Sequence, residues 1–191
     1  GCWVVWAVDK EPTEHFFHES EQHFVWQRER ARSQGPIALT ARSGKKLDQK
    51  GARQLLATLL RNTYRAFDYR DEGDTYDALA LSVHGDLLRR TYLQIRKGLL
   101  MAEQGGARAK VVDVKVTKAE LVDSTLGEFV IDITWQVTGS VEHWGHIHTR
   151  RNEYQARFTV RGEKHWKIEQ LQVNGQKRLE FKTSLRGVEA D

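Results

Sequence analysis

The sequence predicts an α+β fold in which three helices come first and pack on a curved four-stranded antiparallel sheet. Apolar residues recur with a helical period from about Gln49 to Leu99, then with a two-residue period from Val112 onward. Helices before strands is the order of an α+β chain, not of alternating βαβ units. Two of the strand patterns, Phe129 to Val137 and Tyr154 to Val160, also match each other rung by rung when folded as a hairpin.

That hairpin is the firmest element. Phe129, Ile131, Ile133, Trp135 and Val137 alternate with Asp132, Thr134, Gln136 and Thr138. Tyr154, Ala156, Phe158 and Val160 alternate with Glu153, Gln155, Arg157 and Thr159. Placing Trp135 opposite Tyr154 sets Ile133 beside Ala156, Ile131 beside Phe158 and Phe129 beside Val160. Apolar then meets apolar at every rung. The connection between the two is the histidine-rich stretch Glu142-His143-Trp144-Gly145-His146.

Residues 1–45 are expected to lie outside the basic plan as an N-terminal extension. Cys2 to Val8 is apolar and rich in tryptophan, as the outer end of a membrane helix would be, so the extension reads as the stub after a removed anchor. The plainer reading of the same run is a first strand or a flap on the core. Further on, Phe16, Phe17, Ser20 and Phe24 fall at roughly helical spacing, with Pro12 near a helix start. His15 and His18 are one turn apart, but no acid or cysteine completes a ligand set, and surface histidines are the commoner case. Gly35-Pro36 and Ser43-Gly44-Lys45-Lys46 punctuate a linker. The second of these lacks the upstream glycine and preceding strand of a phosphate loop.

Asp48 is the expected cap of the first helix, whose buried face holds Ala52, Leu55, Leu56, Leu59, Leu60, Thr63 and Phe67, with Arg53, Asn62 and Arg65 opposite. Asp71-Glu72-Gly73-Asp74 stops it, and Asp74 is expected to cap a short second helix carrying Tyr76, Leu79, Ala80 and Val83. His84-Gly85-Asp86 supplies a terminating glycine and a fresh start. The third helix carries Leu88, Tyr92, Ile95 and Leu99 and ends at Gly105-Gly106. In the first strand Val112, Val114 and Val116 are expected to point inward. The last strand holds Trp166 and Ile168, then Leu171 and Val173, and the change of parity implies a bulge near Glu169-Gln170. Arg161-Gly162-Glu163 is a tight connection in which Gly162 takes a positive φ. Residues 176–191 are read as a charged tail anchored by Leu179, Phe181 and Leu185.

At 191 residues the chain has room for one good-sized core, and 39% hydrophobic with 29% charged residues excludes wholesale disorder. The net charge is +4, with 30 basic and 26 acidic residues spread along the chain, so no nucleic-acid partner is expected. The single cysteine, Cys2, excludes an internal disulfide and a cysteine-rich zinc site. No Ser-His-Asp order, glycine-rich nucleotide fingerprint or paired-carboxylate motif stands out, and no cofactor is expected.

The stretch from Asn62 to Leu79, Asn-Thr-Tyr-Arg-Ala-Phe-Asp-Tyr-Arg-Asp-Glu-Gly-Asp-Thr-Tyr-Asp-Ala-Leu, resembles the nuclear transport factor 2-like, or cystatin-like, superfamily. There a first helix with aromatic residues ends in a Gly-Asp turn and a short second helix follows. The likeness spans about residues 50–174, within a domain of residues 46–175. It implies a cone-shaped domain with a pocket between the sheet and the long helix. Members include enzymes, small-molecule binders, assembly domains of membrane machines and dimeric scaffolds, so the fold leaves the function open. The N-terminal 45 residues and the long third helix depart from the usual pattern and are similar to membrane-anchored assembly domains.

Chemistry, if any, is expected where the inner face of the third strand turns polar. The alternation that buries Tyr154 carries Asn152, Arg150 and His148 along the same face, and Gly139 opposite leaves room for Arg150 or a ligand. Tyr64, Tyr92 and Trp135 supply the wall of this candidate pocket. The competing reading is a solvated strand end with Arg150 held by an acid such as Glu142. His146 and His148 share a strand face and are the weak candidates for a metal site, with His143 nearby. No third ligand with a second shell is legible, so His143-Trp144-Gly145-His146 is read as a structural connection. For acid–base chemistry Asp68 is the helix-end carboxylate to set beside His148.

Two function classes follow. The preferred one is a non-enzymatic binding or assembly domain, the soluble part of a membrane-anchored bacterial protein on the extracytoplasmic (periplasmic) side. Its partners would be other protein subunits, a membrane-anchored protein or a second copy in a homodimer. The alternative is a small-molecule-binding protein or a lyase- or isomerase-type enzyme that takes a small hydrophobic ligand into the pocket, and the alternative location is the cytoplasm.

Overall fold

Asp48 caps the first helix. Its backbone is extended and its carboxylate accepts the Gly51 N–H at 2.8 Å, so one otherwise orphaned donor of the first turn is satisfied. The computed structural model describes residues 38–41, 46–69, 71–104, 108–143 and 146–185. Helix α1 runs Gln49–Arg65 and continues as a 3-10 turn, Ala66–Asp68. Ala52, Leu56, Leu59, Leu60, Thr63 and Tyr64 are buried along it. Asn62, expected on the wet side, is buried too, because its amide donates to the Ser82 hydroxyl at 3.0 Å across the gap to the next helix connection.

Helix α2, Glu72–Ala80, is capped by Asp71 and not by Asp74. Asp71 has the extended backbone of a cap, and its carboxylate accepts from Gly73 N and Asp74 N at 2.8 and 3.1 Å. Asp74 already sits in the first turn, where a carboxylate favours the positive end of the helix dipole. Tyr76 points outward at 43% exposure instead of joining the core. Gly85 lies at φ +63°, a left-handed conformation that glycine adopts without strain, and from it helix α3 runs Gly85–Gln104.

Four antiparallel strands follow in the order β1-β2-β3-β4: β1 Arg108–Thr125, β2 Glu128–His143, β3 His146–Gly162 and β4 Trp166–Leu185. The β2–β3 register is the one the apolar pattern demands, with Trp135 opposite Tyr154, Ile133 opposite Ala156, Ile131 opposite Phe158 and Phe129 opposite Val160. No bulge interrupts this central pair. The outer strands differ. β1 carries one extra residue at each of Val112, Thr117 and Val122, and β4 at Glu169, Asn174 and Leu179. Such bulges bend and twist the strand that holds them. Val112 and Val122 are consequently turned out, at 57% and 48% exposure, which overturns the inward placing of Val112.

Two further expectations about β4 change. The bulge at Glu169 stands where the parity change put it. The strand does not stop at Val173, however: residues 176–185 pair with β3 as far as His146 opposite Leu185. Gly162 has no positive φ; what its position requires is space, since a Cβ there would fall 2.6 Å from the Trp166 ring. The positive φ belongs to Gly127, at +87° in the β1–β2 turn.

Helix α1 lies along β1. The Gln49 side chain donates to Ala119 O at 2.7 Å and accepts from Leu121 N at 2.6 Å, and Arg53 reaches Val116 O at 3.3 Å. Residues 82–84 bridge to the start of β4, with Ile168 N donating to Ser82 O and His84 N to Ile168 O. Leu39 O takes the Trp166 N–H alongside, so the exposed edge there is covered. Among the described residues no helix is long and apolar enough to cross a membrane. The anchor-like start, the 13–26 helix, the Gly35-Pro36 and Ser43-Gly44-Lys45 linker signals, Gly105-Gly106 and the Trp144-Gly145 turn lie outside the described residues.

Candidate functional site

The inner face of β3 carries the site. Trp135 and Tyr154 face each other across β2 and β3, and their rings stack at 5.3 Å with 26° between planes. The Trp135 indole N–H donates to the Tyr64 hydroxyl of α1 at 3.1 Å. Asn152, one step along the same face, donates from Nδ2 to the Tyr154 hydroxyl at 3.3 Å. Tyr64, Trp135, Tyr154 and Asn152 thus form one interlocked group, each 2% exposed or less. A buried indole or phenol needs a polar partner, and here they supply one another.

Beyond this group the face stays inward but changes character. Arg150 is 6% exposed and sits opposite Gly139 in register, so β2 sets no side chain directly against its stem. Its guanidinium carbon lies 5.9 Å from the centre of the Phe181 ring, the residue opposite it on β4. Phe181 stacks on His148 at 5.7 Å, and His148 on His146 at 6.5 Å. The His148 Nδ1 is 2.9 Å from the Thr183 hydroxyl. The result is a row from the interior to the rim: Asn152, Arg150, Phe181, His148, His146.

One atom in this row lacks a partner. The Asn152 carbonyl Oδ1 is buried with no hydrogen-bond partner among the described residues. Exchanging the amide oxygen and nitrogen would satisfy the oxygen through the Tyr154 hydroxyl and orphan the nitrogen instead. Either way half of a buried amide is unsatisfied.

Six of the seven predicted pocket residues (Tyr64, Trp135, His148, Arg150, Asn152 and Tyr154) lie along this stack and row. Tyr92 makes its contacts elsewhere. Its hydroxyl donates to Glu72 at 3.2 Å and its ring meets Tyr76 edge-on at 5.4 Å, both on α2. Desolvation, and then the accepting Glu72 carboxylate, raise its phenol above the usual value. Glu142, named as a holder for Arg150, is opposite Ile147 in register and so on the other face of the strand pair. Asp68 sits in the 3-10 turn after α1. Burial pushes its carboxyl above the usual carboxylate value, against the pull of Lys110 and Arg65.

Among the described residues no three His, Cys, Asp or Glu side chains are placed to share a metal ion. The His143 side chain is outside that description. Sequence reasoning missed Phe181 and Thr183 as members of the row. The signal was present, since Phe181, Thr183 and Leu185 alternate with Glu180, Lys182 and Ser184. Compared with known proteins, the chain matches no family model and no curated protein.

Proposed function

We propose that this chain is a non-enzymatic binding or assembly domain of the nuclear transport factor 2-like kind, a cone whose open rim meets a partner protein. The membrane-tethered, extracytoplasmic setting belongs to the same reading. What supports it is the filled interior: Tyr64, Trp135 and Tyr154 occupy the space between α1 and the sheet with their own rings and hydrogen bonds. A site for chemistry on a small substrate needs room beside its acid and base. Here chemical variety begins only at the rim, where Phe181 is 46% exposed between His148 and Arg150. An exposed aromatic ring beside an arginine is the composition of an interface anchor.

The second reading, a small-molecule site, is favoured by the unsatisfied half of the Asn152 amide. A ligand reaching inward past Arg150 would satisfy it. The experiment that separates the two places a photo-crosslinking residue at Phe181 and, as control, at Asp132 on the opposite face, in the protein expressed in its own membranes. A discrete protein adduct from position 181 alone supports assembly. Thermal shift by a small apolar ligand, lost in Arg150→Gln, with no protein adduct from 181, replaces it with the second reading; a ligand at 100 times its dissociation constant adds about 2.7 kcal/mol.

A further inference from the structure

Helix α3 has one face buried and one face with no cover among the described residues. Leu87, Leu88, Thr91, Ile95 and Gly98 turn toward the core. The outward stripe holds Leu93 and Leu100, 47% and 48% exposed and two turns apart on one line. Around them stand Arg89, Arg90, Arg96 and Lys97, all exposed. Arg90 is paired with Asp86 at 2.9 Å and Arg96 with Glu72 at 2.7 Å. Among the described residues Arg89 and Lys97 make no ion pair.

We infer that this face of α3 lies on an anionic lipid surface, with Leu93 and Leu100 dipping between headgroups that Arg89 and Lys97 neutralise. Charge complementarity calls for an anionic occupant. A second copy of the chain would set bases against bases, which opposes self-association through this face. Size argues against a folded protein partner. From Arg89 to Leu100 the face is roughly 16 Å long by about 10 Å wide, far below the ~800 Å² per partner of a stable complex. A bilayer makes no such demand, because it offers charge over its whole plane and accepts isolated leucines. Apolar side chains ringed by Lys and Arg on a helix that lies flat are the arrangement of an interfacial helix.

This surface is separate from the sheet rim, and neither proposal depends on the other. The test sediments the 191-residue protein with vesicles of phosphatidylcholine alone and with phosphatidylcholine containing about one-third phosphatidylglycerol. The expected result is binding to the anionic vesicles that weakens as salt rises, with the apparent Kd raised about tenfold or more in Arg89→Gln/Lys97→Gln. Leu93→Ser/Leu100→Ser should also weaken it. All four positions are exposed, so unchanged circular dichroism and melting will certify the fold of both variants. Equal binding to the two vesicle types, or variants that bind like the parent, overturns the inference, as does binding of poly-glutamate through Arg89 and Lys97 without vesicle binding. A negative vesicle result leaves the crosslink from position 181 as informative as before.

Discussion

The central hairpin has two halves that share strands, register and alternation, yet their inner faces are chemically unlike. In the first half, Phe129 to Val137 against Tyr154 to Val160, every inward residue is apolar or aromatic and 3% exposed or less. In the second half, Gly139 to His143 against His146 to Asn152, the described residues on the inner face are Gly139, Val141, His146, His148, Arg150 and Asn152. The backbone does not change between them, for the ladder runs without a bulge from Glu128 opposite Arg161 to His143 opposite His146. What changes, among the described residues, is the helix packing: α1 and residues 82–84 lie over the first half, and the Tyr64 hydroxyl on Trp135 marks where the helix ends. Alternation decides which face a residue takes; the layer above decides what that residue can be.

The sharpest way to break this comparison is to remove one aromatic ring from the first half and one from β4 that packs beside the second. Trp135→Ala deletes a fully buried indole, its stack with Tyr154 and the partner of Tyr64, and should cost about 3–5 kcal/mol in urea unfolding. Phe181→Ala, on β4 opposite Arg150 of the second half, should cost about 1 kcal/mol or less. Similar losses from both would mean that the rim is as tightly packed as the core, and the division would fail.

The boundary itself comes next in size. Tyr154→Phe takes the acceptor from Asn152 Nδ2 and should cost about 1–3 kcal/mol. Replacing the pair, Asn152→Leu with Tyr154→Phe, removes the half-satisfied amide as well and should recover most of that loss. A double variant as stable as the parent would show that the amide is held there for something other than folding. One much less stable than Tyr154→Phe alone would show that the amide is satisfied in solution, by a water for example.

How far the sequence revealed this division depends on the element. The β2–β3 register was legible because two clean alternating runs admit one apolar-on-apolar pairing, and from it Arg150 opposite Gly139 followed directly. The same logic failed on Val112, since a bulge shifts parity without leaving a glycine or proline behind. Asp71 and Asp74 are both good cap residues, and only backbone geometry chose the first. The end of β4 reads as a tail because Lys177, Arg178, Glu180 and Lys182 raise its charge, yet charges are also what an edge strand carries. Tyr92 meets Tyr76 and Glu72 and not the pocket wall, since a helical stripe identifies a face but not the neighbour that face meets.

A smaller difference is expected at Asp68, just past the end of α1. Burial raises its folded-state value above the ordinary 3.8, so the ionised form is penalised in the native protein. For an acid raised in this way the penalty is full above the folded value and disappears as pH falls below the unfolded one. Asp68→Asn should therefore stabilise the protein at neutral pH, with the gain shrinking toward zero in acid. A variant less stable than the parent at neutral pH would mean that Lys110 and Arg65 hold the carboxylate more strongly than burial disfavours it.

The smallest effect belongs to the outer face of the hairpin, where the two halves are alike. Arg157 holds Asp132 with two hydrogen bonds of 2.7 Å, and both side chains are more than a third exposed. That hydrogen bonding keeps the Asp132 carboxyl below its ordinary value, opposed by partial desolvation and aided by the charge of Arg157. A depressed carboxylate contributes stability above its unfolded value, here near 3.8, and loses it as pH falls through the lower folded one. Water and salt screen an exposed pair, so Asp132→Asn should lower the melting temperature only slightly at neutral pH and less at high salt. In strong acid the variant and parent should melt together. Asp132 lies on the outer face of the first half of the hairpin, and Arg151, joined to Glu180 of β4 at 3.1 Å, on the outer face of the second half. Removing either carboxylate should give the same faint, salt-sensitive loss, because among the described residues the helices pack on the other face of the sheet. A large loss at Asp132 alone would mean that the cover on one face is felt through the sheet on the other.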